Sequence, residues 1–147
     1  MNQFDQFQNA LLLEPIAVNK YRVNLDSRYF VGKTPHGGYL NALMHKALIL
    51  SVPHTVAISS SIQYLNRIEV NDVVLEVEVF KTSKGSSSGL VKLSQDNKIR
   101  TVFNAICSDF EHMKGFNGLE TNPPDIYKNT PIKNYKTLNY DVISPGF

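Results

Sequence analysis

Residues 34–51 read T-P-H-G-G-Y-L-N-A-L-M-H-K-A-L-I-L-S, and the fold turns on them. Thr34-Pro35-His36-Gly37-Gly38 interrupts any regular pattern, because proline and paired glycines disfavour the interiors of helices and strands. From Tyr39 to about Ser51 the residues are mostly Leu, Ala and Met, all good helix formers, and Pro53 closes the segment. Leu40, Leu43, Ala47 and Leu50 fall on one stripe, which Met44, Leu48 and Ile49 widen. So broad an apolar surface predicts a helix buried nearly all round.

On both sides of this segment the apolar period drops to two, the signature of strands. Tyr21, Val23 and Leu25 alternate with Arg22, Asn24 and Asp26, giving a half-buried first strand. After the helix, Val56, Ile58, Ser60, Ile62 and Tyr64 share one face of a second strand. Val73, Leu75, Val77 and Val79 do the same in a third, with Val74, Glu76, Glu78 and Phe80 opposite. Leu90 to Gln95 is a short strand, and Asp96-Asn97 marks a tight hairpin turn. The last strand, Ile99 to Phe110, puts Ile99, Thr101, Phe103, Ala105 and Cys107 on one face. Between strands, Ser83 to Gly89 (S-K-G-S-S-S-G) has the composition of a flexible loop. One buried helix followed by an antiparallel meander is an α+β layout, with five or six strands curling around a long central helix.

The chain has 147 residues, 15 Lys+Arg and 13 Asp+Glu, a formal charge of +2. That length points to one main domain, and so small a charge gives no electrostatic reason to bind nucleic acid. The lone Cys107 excludes an internal disulfide, and the four histidines contain no pair spaced for zinc, so no metal and no cofactor are expected. Ala47 to Val52 is too short to cross a bilayer. Leu11-Leu12-Leu13 is too short for a signal core, which points to a cytoplasmic protein. The character changes near residue 111, beyond which lie four of the seven prolines and no periodic run. The expected organisation is a folded domain over 1–110 and an irregular C-terminal arm over 111–147.

Several stretches, in order, carry a family resemblance. His36-Gly37-Gly38-Tyr39-Leu40 before the Ala/Leu helix resembles the "HGGY" opening of acyl-CoA thioesterases of the double-hotdog type. Ser59 to Arg67 (S-S-S-I-Q-Y-L-N-R) is similar to that family's "S-x-x-x-x-F-L-R-P" strand, with Tyr64-Leu65 at the Phe-Leu site. Val73 to Phe80, the Gly-Ser loop, Val91 to Asp96 and Ala105 to Phe110 follow in the family's order, so the resemblance spans roughly 18–110. It implies a single hotdog fold, an acyl-CoA or other acyl thioester as ligand, and a homodimer built by edge-to-edge sheet pairing. Ile68 stands where the motif expects proline, a departure expected to affect only the local turn. The family's catalytic Asp, Thr/Ser and Gln belong to a second hotdog domain, and Pro123-Pro124-Asp125 resembles the connection leading to it. None of that triad transfers to this segment.

Thioester hydrolysis needs a polarised carbonyl and an activated water. Backbone N–H groups at a helix N-terminus polarise a carbonyl, because they are unpaired and carry the positive end of the dipole. Gly37 and Gly38 suit that task, the alternative being glycines that serve backbone geometry alone. His36, Gly37, Tyr39 and Ser60 are the expected substrate-facing residues, with a capping role equally open to His36. Related single-domain hotdogs place an Asp or Glu about two turns into the helix. Here no Asp or Glu occurs between His36 and His54, and the position falls at or beside His45. Gly38, Asn41 and His45 succeed one another on one helix face. Asn41 then positions water or carbonyl and His45 acts as base, or both are polar groups satisfied at an interface. No "G-x-S-x-G" elbow is present, which argues against a serine hydrolase. The reading is an acyl-CoA thioesterase-like enzyme, or a non-catalytic hotdog module that binds acyl thioesters or completes a partner's site. A hotdog dehydratase or hydratase would need a carboxylate beside its histidine.

Overall fold

The computed structural model describes residues 3–113, together with Gly115 and Gly118. The arm expected over 111–147 therefore lies almost wholly outside the described residues. The chain begins with helix α1 (Gln3–Ala10) and strands β1 (Glu14–Ala17) and β2 (Lys20–Asn24). A two-stranded ribbon follows, β3 (Phe30–Val31) and β4 (Thr34–Pro35), then helix α2 (Gly37–Ser51). Four long strands complete it: β5 (Val56–Tyr64), β6 (Asp72–Thr82), β7 (Ser87–Gln95) and β8 (Lys98–Ser108). The main sheet is antiparallel throughout, in the order β1-β2-β6-β7-β8-β5. This is the expected α+β layout, with one sheet face applied to α2 through β5, β6, β7 and β8.

The core forms where the two periods meet. Tyr39, Leu40, Leu43, Met44, Ala47 and Leu48 of α2 are buried against Val23, Val73, Leu75, Val91, Leu93 and Phe103 of the sheet. The helix is not buried all round, because Leu50 is 57% exposed and Asn41 and His45 are half-buried. The sheet reaches one side of the helix only. Asp96 and Asn97 both take positive φ (53° and 58°), the backbone of the tight β7–β8 turn read from the sequence.

Besides a register shift in β1 between Pro15 and Ala17, three β-bulges in the long strands alter the simple alternation. An extra residue at Ile58 breaks the register between Ala57↔Cys107 and Ser59↔Ile106. Ile58 therefore leaves the Ser60/Ile62 face it was expected to share, and is exposed. Arg100 is the extra residue between Leu93↔Thr101 and Ser94↔Ile99, which carries Ile99 off the Thr101/Phe103 face. Phe80 is the third, in β6. Nor is 83–89 all loop. Ser87, Ser88 and Gly89 begin β7, and Ser87 is buried beneath His54. The last strand ends at Ser108, and Phe110–His112 is a short 3-10 turn. Among the described residues no helix is long and apolar enough to cross a membrane.

Candidate functional site at the head of the central helix

The two glycines that open α2 each lie against a different side chain. A β-carbon on Gly37 would lie 2.7 Å from the Tyr64 hydroxyl, which donates a 2.8 Å hydrogen bond to the Gly37 carbonyl. A β-carbon on Gly38 would lie 3.1 Å from His36 Nδ1, which accepts the Gly38 N–H at 3.1 Å. His36 is thus the N-cap of α2, and an accepting Nδ1 means that Nε2 carries the proton. Tyr39 N–H and Leu40 N–H both reach the His36 carbonyl. In this first turn only the Gly37 N–H has no partner among the described residues.

Gly37 lines a groove of about 480 Å³ between the head of α2 and the Tyr64–Ile68 segment. Pro35, Leu40, Leu65 and Ile68 make its apolar walls, and Thr101 and Arg67 also line it. Ile68, the residue in place of the motif's proline, is buried at 2% exposure and belongs to the core. Its effect extends beyond the turn, because its side chain is part of the buried core.

The remaining expected site residues sit elsewhere. Asn41 and His45 lie one turn apart on the neighbouring face of α2 and do not line this groove. Asn41 Oδ1 and His45 Nε2 are nevertheless buried and without a hydrogen-bond partner. The His45 ring packs edge-on to Phe103, 6.3 Å between centroids. Burial pushes its pKa below the ordinary imidazole value, keeping the ring neutral. Tyr39 is committed to the fold. Its hydroxyl donates to the Ala10 carbonyl (2.9 Å) and accepts from the Asp26 N–H (3.1 Å), and its ring stacks on Tyr29. Ser60 is exposed on β5, opposite Ala105 and beside Ile62. The structure thus gathers His36, Gly37 and Gly38 at one point and sets Asn41 with His45 at another.

Two residues of the site escaped the sequence reading. The sequence gives Tyr64 as a strand and family position, and the structure sets its side chain against Gly37. Thr101 was seen only as one of an alternating stripe. It is 0% exposed, and its hydroxyl has no partner. A lone threonine ahead of Phe103, Ala105 and Cys107 on a core-facing stripe was the available signal.

The acyl-CoA thioesterase N-terminal domain model matches residues 25–108. Among curated proteins none matches the chain. In solved structures, a Thermobifida fusca protein provisionally assigned as a thioesterase II superposes with a TM-score of 0.72 at 21% identity, covering 82% of this chain and 46% of that one. A hot dog fold protein of unknown function from Alicyclobacillus acidocaldarius gives 0.73 at 19%, covering 87% and 47%. A variant of the phenylacetic acid degradation protein PaaI from Thermus thermophilus gives 0.61 at 21%, covering 72% of this chain and all of that one. These likenesses establish the hotdog fold, and the chain spans about half the length of the first two proteins. With its motif order, its six-stranded sheet around α2 and the match over 25–108, the chain belongs to the acyl-CoA thioesterase N-terminal domain family.

Proposed function

We propose that this domain acts on acyl-CoA or a related acyl thioester, with the thioester carbonyl held at the N-terminus of α2. The observation that carries the reading is the unpartnered Gly37 N–H beside a groove walled in part by Pro35, Leu40, Leu65 and Ile68. An amide there donates to an oxyanion with the helix dipole behind it. The Gly38 N–H becomes a second donor when the exposed His36 ring turns away. Water held by Asn41 attacks the carbonyl carbon, and His45 Nε2 takes the water's proton. The C–S bond then breaks and the same proton passes to the leaving thiolate, giving free acid and free thiol. A neutral His45 with an unmet Nε2 suits a base.

A second copy of the chain is the proposed partner, and the contrast between the two sheet edges supports this. β1 is four residues long and carries Glu14 and Pro15, devices that discourage further pairing. β5 is nine residues long, V-A-I-S-S-S-I-Q-Y, with no charge and no proline. Pairing along β5 covers the half-open face beside Asn41 and His45.

The alternative is a non-catalytic acyl-binding half that completes a site on a partner domain. It is favoured by the absence of Asp and Glu from α2 and by the separation of His45 from the groove. Hydrolysis of an acyl-CoA panel, followed by free-thiol release, separates the two. Turnover that falls at least a hundredfold in His45→Ala is the expected result. Binding without turnover at any chain length would favour the module, and turnover indifferent to His45→Ala would remove the base.

A further inference from the structure

Thr101, one of the residues lining the groove, carries a buried hydroxyl that the fold does not use. Thr101 lies on the core face of β8, opposite Tyr64 on β5 and Leu93 on β7. It is fully buried, it lines the groove with Leu40 and Ile68, and its Oγ1 has no hydrogen-bond partner. A buried hydroxyl left unpaired is a standing cost to stability, which valine, of the same shape, would avoid.

We infer that Thr101 is a specificity-determining residue that hydrogen-bonds a neutral oxygen, hydroxyl or keto, carried on the acyl chain. The inference rests on the acyl-thioester reading above and adds the kind of chain. With the carbonyl at Gly37, the chain runs inward along Tyr64, whose hydroxyl meets Gly37 and whose backbone pairs with Thr101. The walls it passes, Leu40, Leu65 and Ile68, are apolar, so the intervening carbons need no polar group. A carboxylate is disfavoured beside Thr101. Arg67, the cation of the groove, is exposed, and a charge buried without a partner is costly. An oxygen tethered to a chain already held at both ends reaches Thr101 without the ordering cost of a free water.

The test is calorimetric binding of non-hydrolysable CoA thioethers of one chain length, either plain or bearing a hydroxyl at successive carbons. One hydroxyl position is expected to bind roughly tenfold more tightly than the plain chain, the order of a single buried hydrogen bond. Thr101→Val should erase that preference and raise the melting temperature. Thr101→Ser should keep the preference. Equal binding of plain and hydroxylated chains by the wild type overturns the inference, as does a preference that survives Thr101→Val. Because binding is read and not turnover, a failure to hydrolyse the matching thioester counts against the hydrolase alone. Failure of every thioether to bind overturns both readings.

Discussion

His45 is half-buried on α2 with its Nε2 unmet and its ring against Phe103, and both facts set how it responds to pH. Burial depresses its folded pKa below the ordinary 6.5. The unfolded chain then binds more protons than the folded one as pH falls through about 6.5. Stability from this group is therefore unaffected above that value and declines below it, down to the folded pKa. Melting curves between about pH 5 and 7.5 should show a shallower acid decline in His45→Gln than in the wild type. If His45 is the base, the acid limb of kcat/KM also falls below 6.5. An acid limb above 6.5 would assign the titration to another group.

At the element scale, the close approaches of α2 differ in what they can yield. Alanine at Gly37 meets the far end of the Tyr64 side chain, which is 53% exposed and free to swing outward. Alanine at Gly89 meets the Glu78 carbonyl at 2.9 Å and Leu48 Cδ1 at 2.8 Å, backbone on one side and core on the other. Denaturant unfolding should therefore show a loss of about 1 kcal/mol for Gly37→Ala and about 3 kcal/mol for Gly89→Ala. Equal losses would mean that Tyr64 is held as firmly as a backbone. The turn after α2 is tied in the same concrete way. His54 is buried between Ser87 Oγ, 2.8 Å from Nδ1, and the Lys84 carbonyl, which accepts from Nε2–H at 3.3 Å. His54→Ala leaves buried Ser87 with only a long contact to Thr82, and should cost about 2 kcal/mol by the same measurement.

For the whole molecule, the proposed assembly follows from its unequal edges. Lysine on an exposed strand is a known deterrent to edge pairing. A chain with Ser59→Lys and Ser61→Lys, both on the face of β5 away from α2, should sediment as a monomer where the wild type sediments as a dimer. Each substitution lies on exposed surface, so the circular dichroism spectrum should not change. A wild-type monomer at high concentration would remove β5 as the interface.

The amino-acid sequence by itself determined α2 and the strands β2, β5, β6, β7 and β8, in their order. The apolar periods of Tyr39–Ser51, Val73–Val79 and Thr101–Cys107 are local properties, and burial followed them. It also carried the family resemblance, through His36-Gly37-Gly38 and Tyr64-Leu65. The helix α1 was missed because Phe7, Ala10 and Leu11 gain their meaning only when Tyr39 and Tyr29 meet them. Ile58 and Ile99 were placed on the wrong face because a bulge is a property of two strands in register, and one strand alone does not display it. Only the tertiary structure decided the use of the site residues. It turned His36 into a cap, Tyr39 into a tie to α1, and Gly37 into a seat for Tyr64. It also brought Thr101 into the lining of the groove. These roles join residues tens of positions apart, and a hydroxyl is left unmet only once every neighbour around it is in place.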